Sequence, residues 1–314
     1  MAQLGNVEYT QSPTKEHWAQ MRHLVETANW TSDDHSVMDM LPYFPATRSV
    51  FAVEGDKVLG FAVWSESPET RITWVGFYYI IEELRGKGLG RQVWKKMMDC
   101  KPAGKTWALR AFEDMVAKYR SEDFPIAGEE MRKVAITAGA LKEGADKAAS
   151  SNSTTTVRNV SQLSEDELKQ LCAYDKEVTK QDRSAMLREF FKQKGVIGAV
   201  AQRDGAVVGY GATVPTALVE RKQIKLAPLF ADKFETVVAI VKKLLVDADP
   251  ESPLIIYVLE RSIGNKEFIN FLLQQKNARH EITCHTILTD ANDSFPIDLN
   301  ACFVPHNHAC HIDG

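Results

Sequence analysis

The chain repeats itself, and this limits what it can fold into. The stretch Phe51–Phe61 and the stretch Val200–Tyr210 share one order: apolar residues, a polar turn, apolar residues, a glycine, an aromatic. Gly60 and Gly209 stand 149 positions apart, and the same offset sets Asp33 against Asp182 and Trp107–Arg110 against Ile256–Leu259. One constant offset across so much chain reads as a duplicated domain. The length of 314 residues suits two domains. With 44% hydrophobic and 25% charged residues, each half has the material for a core of its own.

The local patterns are mixed α/β. Strands are predicted at Val7–Thr10, Ser49–Glu54, Val58–Ser65, Thr70–Ile81 and Lys105–Phe112, and Gly55-Asp56-Lys57 forms a hairpin turn between the second and third. Helices are predicted from Thr14, where Trp18, Met21, Leu24 and Val25 follow helical spacing, over Leu89–Asp99, and around Met115, Val116 and Tyr119. From Gly139 to Thr155 the residues are small and polar and end in Ser, Thr and Asn, as linkers do. The predicted division is therefore 1–140, a linker at 141–155, and 156–314.

Charge and cysteines bound the function. A net charge of −4 argues against nucleic acid as the main partner. Five scattered cysteines form no disulfide framework and fit a reducing compartment. Neither a signal pattern at the N-terminus nor a membrane-length apolar run is present, so a cytoplasmic or nuclear location and no membrane partner are expected.

The chemistry concentrates in Arg85-Gly86-Lys87-Gly88-Leu89-Gly90-Arg91, between an apolar strand and an amphipathic helix. Glycines let backbone approach a ligand closely, and a helix start offers unpaired N–H groups and a partial positive charge. Arg85, Lys87 and Arg91 add full charges. The string suits a phosphate group. It lacks the Gly-Lys-Ser/Thr of a Walker loop, and Arg91 stands where a Rossmann fingerprint needs its third glycine.

This segment resembles the Arg/Gln-x-x-Gly-x-Gly/Ala signature of the GNAT family of acetyl-CoA-dependent N-acyltransferases. Tyr78 to Leu84 looks like that family's fourth strand, and Arg91 to Trp94 like the start of its third helix. The resemblance covers roughly residues 5 to 136, and the second half is similar to the divergent C-terminal domain of tandem members. It implies two GNAT-like domains, each a mixed, mostly antiparallel twisted sheet flanked by helices. It implies that backbone N–H groups of Arg85, Gly86, Lys87, Gly88, Leu89, Gly90 and Arg91 hold the pyrophosphate of acetyl-CoA. The strand around Tyr79, Ile80 and Ile81 would pair with the pantetheine arm, and a β-bulge there would polarise the thioester carbonyl. Acetyl transfer to a small amine or a lysine would proceed by direct attack in a ternary complex, with no metal. A homodimer is plausible for the family. The alternative is an acyl-CoA-binding regulatory protein without turnover.

Tyr119 and Phe124 keep the spacing of the family's Tyr-x-x-x-Gly-Phe motif, with Asp123 in place of the glycine. By that resemblance the Tyr119 phenol protonates the leaving thiolate; the other reading is an amphipathic core-edge residue. No base stands out. Asp33, Asp34 and His35 lie in the family's acceptor region and also read as helix caps, while Glu66 and Glu69 end a strand and Glu82 and Glu83 read as turn residues. At the 149 offset the second half has Phe234 for Arg85 and Phe268 for Tyr119, and it has no glycines in the corresponding loop. It is expected to keep the fold without a standard cofactor site, and to complete the acceptor pocket, mediate dimerisation, bind another ligand or serve as a docking platform. In the last case residues 1 to 140 would work alone. Asp182-Arg183-Ser184 reads as capping and ion pairing. The tail from Cys302 through His306, His308, Cys310 and His311 has zinc-ligand residue types but no C-x-x-C, and reads foremost as a terminal strand with a polar tail.

Overall fold

The structure is a computed structural model and describes residues 6–28, 35–149, 154–216, 222–260, 263–290 and 297–306. The strands are β1 (Glu8–Thr10), β2 (Thr47–Glu54), β3 (Lys57–Glu66), β4 (Ile72–Ile80), β5 (Thr106–Ala111), β6 (Ile126–Thr137), β7 (Thr156–Asn159), β8 (Ile197–Arg203), β9 (Ala206–Pro215), β10 (Ile224–Ala231), β11 (Pro253–Leu259), β12 (Arg279–Leu288) and β13 (Cys302–Val304). The helices are α1 (Lys15–Thr27), α2 (His35–Met40), α3 (Leu89–Met98), α4 (Glu113–Glu122), α5 (Ala138–Ala148), α6 (Glu165–Thr179), α7 (Ser184–Phe190), α8 (Phe234–Leu244) and α9 (Ile263–Leu273).

All strands belong to one mostly antiparallel sheet, in the order β1-β2-β3-β4-β5-β12-β6-β11-β10-β9-β8-β7, with β13 beside β10. The repeat is visible in it: β1 to β5 and β7 to β11 run in the same succession from opposite ends. Gly60 and Gly209 explain why a glycine recurs. A Cβ on Gly60 would lie 2.8 Å from the carbonyl oxygen of Tyr79, and one on Gly209 would lie 2.7 Å from that of Phe230. In both halves the hairpin's second strand is pressed against the strand that follows.

The two halves exchange strands at the centre. β12, from the second half, lies between β5 and β6 and pairs antiparallel with both, from His285↔Ala111 to Leu288↔Ala108 on one side and from Arg279↔Ala135 to Leu288↔Ile126 on the other. β6, from the first half, pairs on its far side with β11, from Thr137↔Pro253 to Met131↔Leu259. The sheet thus runs straight through the boundary drawn from the sequence.

The predicted linker contains a helix. Thr137 caps α5 by accepting the Ala140 N–H, and Leu141 and Ala145 are buried one turn apart. Its small residues serve close packing: a Cβ on Gly139 would lie 2.8 Å from Pro250, and one on Gly144 would lie 2.0 Å from Gln275. The composition that looks like a flexible tether is instead that of a helix laid tightly on the second half.

Helices cover both faces. Met21, Val25, Phe51 and Phe61 of the first half share one core cluster with Leu171, Phe190, Val200 and Tyr210 of the second. On the other face α3 packs on the first half through Leu89, Val93, Trp94 and Met97, and α5, α8 and α9 pack on the second. The Asp182 carboxylate accepts the N–H and hydroxyl of Ser184, the first residue of α7, whose N-cap is Arg183, and Arg183 makes a buried pair with Asp175 inside the second half. Among the described residues no helix is long and apolar enough to cross a membrane.

Candidate active site

β4 and β5 begin side by side and then part. They pair in parallel from Ile72↔Thr106 to Val75↔Leu109, and beyond Val75 the edge of β4 faces a cleft. The separation starts at a bulge. On the β3 side the register passes from Trp64↔Val75 to Val63↔Phe77, so Gly76 is the extra residue. The sequence places this bulge near Tyr79 to Ile81; the structure puts it at Gly76. Tyr79 and Ile80 pair regularly with Phe61 and Gly60 on the β3 side, and their other edge lies along the cleft.

The cleft encloses about 1320 Å³. Its floor is Val75, Gly76, Tyr78, Tyr79 and Ile80 of β4 with Ile81 just beyond, and its far wall is Leu109, Arg110, Ala111 and the first turns of α4, with Met115, Lys118 and Tyr119. Gln20, His23, Leu24 and Thr27 of α1 close one end. Cys284 of β12 also lines it, so the second half supplies part of the wall. Burial pushes the Cys284 thiol up to about 11, which keeps it neutral near pH 7 and makes it lining surface rather than a nucleophile.

The glycine loop sits at the mouth. Gly86 has φ +74° and Gly88 φ +89°, left-handed conformations that favour glycine, and a Cβ on either would meet nothing within 4 Å. Gly88 is the N-cap of α3, so this open space adjoins the start of that helix. Gly90 has a different reason: a Cβ there would lie 2.6 Å from the hydroxyl of Tyr78. Arg85 folds back over the strand. Its Nε donates to the carbonyl of Ile80 at 3.0 Å, and its guanidinium lies 5.3 Å from the centre of the Tyr79 ring. Tyr79, Ile80, Ile81, Arg85, Gly86 and Gly90 line the cleft, and Gly88 lies just outside that lining. The sequence offers every backbone N–H from Arg85 to Arg91 to a phosphate, but those of Arg85 and Lys87 are already given to the carbonyls of Glu82 at 3.1 Å and Leu84 at 3.3 Å. Lys87 and Arg91 are exposed, and the Leu89 side chain is buried in the core, so Leu89 offers only backbone to a ligand. The cradle, the open strand edge and the bulge fit the pyrophosphate and extended arm of an acyl-coenzyme A.

Tyr119 stands in the α4 wall and stacks on Trp94, with ring centres 5.1 Å apart and planes at 20°. Asp123 has its own task in place of the motif's glycine: its carboxylate accepts the Trp94 indole N–H at 2.8 Å. Gly76, Tyr78, Trp94, Arg110 and Cys284 are site residues that sequence reasoning passed over. Among them only Trp94 carried a local signal, one turn after Gly90 on the buried face of the predicted helix.

The candidate bases are not brought together. Asp33 and Asp34 lie outside the described residues, as does the side chain of His35. Glu69 accepts the backbone N–H of Asp182, joining the β3–β4 loop to the second half. Glu82 pairs with the exposed Arg85 guanidinium.

The second half has the same parting of strands, and fills it. β10 pairs with β11 only from Ile224↔Leu254 to Leu226↔Ile256. Beyond this, β13 lies on the opened edge of β10, with Leu229↔Val304 and Phe230↔Cys302. Phe303 is buried against Phe268, the residue at the Tyr119 position, with ring centres 5.9 Å apart. At the start of α8 the Asp232 carboxylate accepts from Arg203 and from Thr236, both at 2.6 Å. A strand of the chain itself thus lies on the edge of β10 that the parting opens. The Cys/His tail is therefore a buried inner strand as far as it is described: Cys302 is buried in β13, and the His306 ring lies edge-on to Phe190 at 4.3 Å. His308, Cys310 and His311 lie outside the described residues.

Comparison with known proteins agrees with this geometry. A model described as the GNAT acetyltransferase family matches residues 15–108, and one described as an acetyltransferase (GNAT) domain matches residues 171–303. An uncharacterized protein of Caenorhabditis elegans is 29% identical over 309 residues, covering 96% of both chains. A Pyrococcus horikoshii structure superposes with a TM-score of 0.68 at 13% identity, covering 98% of this chain and 96% of that one. A tandem GNAT protein from the clavulanic acid biosynthesis pathway superposes with a TM-score of 0.62 at 13% identity, covering 92% of this chain and all of that one, 100%. The chain belongs to the GNAT family as a tandem protein with one such domain in each half.

Proposed function

We propose that the first half is an acetyl-CoA-dependent N-acetyltransferase and that the second half holds no cofactor. The observation that carries this reading is the cleft between β4 and β5, with the Gly86–Gly88 cradle at its mouth and the Tyr119 ring in its wall. The pantetheine arm adds to the open edge of β4 as an extra strand would. The thioester lies at the Gly76 bulge, where backbone N–H polarises its carbonyl oxygen. A neutral amine attacks the carbonyl carbon, and the tetrahedral intermediate collapses by breaking the C–S bond. Tyr119 gives its proton to the departing sulfur, and the proton lost by the attacking nitrogen returns, directly or through water, to the phenolate, so the amide and free thiol leave with Tyr119 restored. No covalent intermediate on the protein is needed.

Two measurements test this. In isothermal titration one acetyl-CoA is expected per chain, because β13 covers the opened edge of β10 in the second half; two equal sites would overturn the assignment. In a thiol-release assay with lysine, spermidine and lysine peptides as acceptors, Tyr119→Phe is expected to lose about 100-fold in kcat while its affinity for acetyl-CoA stays within a factor of two. Binding with no transfer to any amine would instead identify a non-catalytic acyl-CoA-binding protein.

A further inference from the structure

Trp94 joins the two helices that the proposed chemistry uses. It sits on α3, whose first turn forms the phosphate cradle, and its ring lies against α4, which carries Tyr119. It is packed from three sides: flat on Tyr119, edge-on to Tyr78 at 5.3 Å and 78°, and edge-on to Phe124 at 5.7 Å and 61°. Rings alone leave an indole free to slide in its plane. The bond from its N–H to Asp123 at 2.8 Å removes that freedom. Asp123 is itself fixed as the C-cap of α4, with its backbone N–H on the carbonyl of Tyr119 at 3.3 Å, and the N–H of Phe124 reaches the same carbonyl at 3.2 Å. The loop that holds Asp123 therefore holds the backbone of Tyr119, and the ring that Asp123 holds is the one on which Tyr119 rests.

We propose that Asp123 and Trp94 are positioning residues that lock the Tyr119 ring at a fixed distance from the phosphate cradle. The inference rests on Tyr119 being the acid of the reaction above. It assigns a purpose to the replacement of glycine by aspartate: a glycine there leaves the indole N–H without this acceptor. Proton transfer to the leaving sulfur depends on the phenol standing at hydrogen-bond distance in the transition state, so a loosened ring lowers kcat and spares cofactor binding.

The experiment uses the full chain. Asp123 is exposed, so replacing it opens no cavity. In the thiol-release assay Asp123→Ala is expected to lower kcat about tenfold, with the KM for acetyl-CoA within a factor of two. Asp123→Asn, whose amide oxygen still accepts the indole N–H, is expected to retain most of the rate. Trp94→Phe removes the N–H and also shortens the buried ring on which Tyr119 rests, and is expected to lower kcat at least as far as Asp123→Ala. The cycle with Tyr119→Phe decides the role: in that background Asp123→Ala is expected to cost less than twofold, since there is no phenol left to position. A second readout needs no turnover. With ring-labelled tyrosine, the Tyr119 resonance, assigned by its loss in Tyr119→Phe, is expected to lie upfield from the Trp94 ring current and to move toward the free-tyrosine position in Asp123→Ala. Full additivity of the two substitutions, or an unmoved resonance, overturns the clamp. A slow Tyr119→Phe beside a full-rate Asp123→Ala overturns it alone, whereas a full-rate Tyr119→Phe overturns the acid assignment and the clamp together.

Discussion

Gly88→Glu is expected to raise the Kd for acetyl-CoA at least 100-fold while leaving the far-ultraviolet circular dichroism unchanged. Two effects add. Gly88 has φ +89°, where a side chain costs about 1–2 kcal/mol. The new side chain also enters space that no protein atom fills within 4 Å, at the N-cap of α3. A carboxylate there takes the donors a pyrophosphate would use and repels the phosphate charge; a loss of about 2.7 kcal/mol already gives the 100-fold. The substitution lies on an exposed turn, so the strain is absorbed locally. Isothermal titration with acetyl-CoA checks it. Gly88→Ala separates the terms, since it keeps the strain, adds no charge and is expected to lose only about tenfold. A Gly88→Glu chain that binds as the wild type does would remove the cofactor site from this loop.

The same loop shows how much the sequence made legible. A strand, three glycines and an amphipathic helix are adjacent in the chain, and their roles follow from local geometry alone. The repeat was legible too, because the Gly60 and Gly209 contacts are a hairpin's own business with its neighbouring strand. What was not legible is what distant segments do to each other. Nothing in Arg279–Leu288 announces that β12 enters the other half's sheet, because pairing between strands is set by register across space and not by local propensity. The Cys/His residues at the end of the chain suggested metal chemistry by type, yet Cys302 and His306 are small and aromatic fillers of a buried strand and its flank. The 138–148 helix was hidden because close packing and flexible linkers both select Gly, Ala and Ser. At Asp123 the departure from the family motif looked like a weakness of the match, and its partner Trp94 is 29 residues away.

A chain cut after residue 149 is expected to lose both cooperative unfolding and acetyl-CoA binding, although it contains every residue of the glycine loop and Tyr119. If the second half were only a docking platform, residues 1 to 140 would work alone; the strand order argues against that reading. β5 has β4 on one side and β12 on the other, and β6 has β12 and β11; the fragment keeps neither β12 nor β11. Ile287 of β12 is fully buried in the cluster that holds Trp94, Trp107 and Leu109, and Leu288 is buried beside Trp74 and Ala108. Removing these two side chains costs about 3–6 kcal/mol of burial, comparable to the whole stability of a small domain, before the lost ladder is counted. β6 could slide over to pair with β5 directly, but its side chains alternate for a place between β12 and β11, so the slot of Ile287 would stay unfilled. The cleft would suffer with it, because β5 and α4 form its far wall and Cys284 closes part of it. Heteronuclear NMR of the fragment and titration with acetyl-CoA measure this, and adding residues 154–314 as a separate chain is expected to restore part of the signal. A fragment that folds cooperatively and binds acetyl-CoA as tightly as the full chain would mean that the exchanged strand is an ornament of the sheet and not a condition for the site.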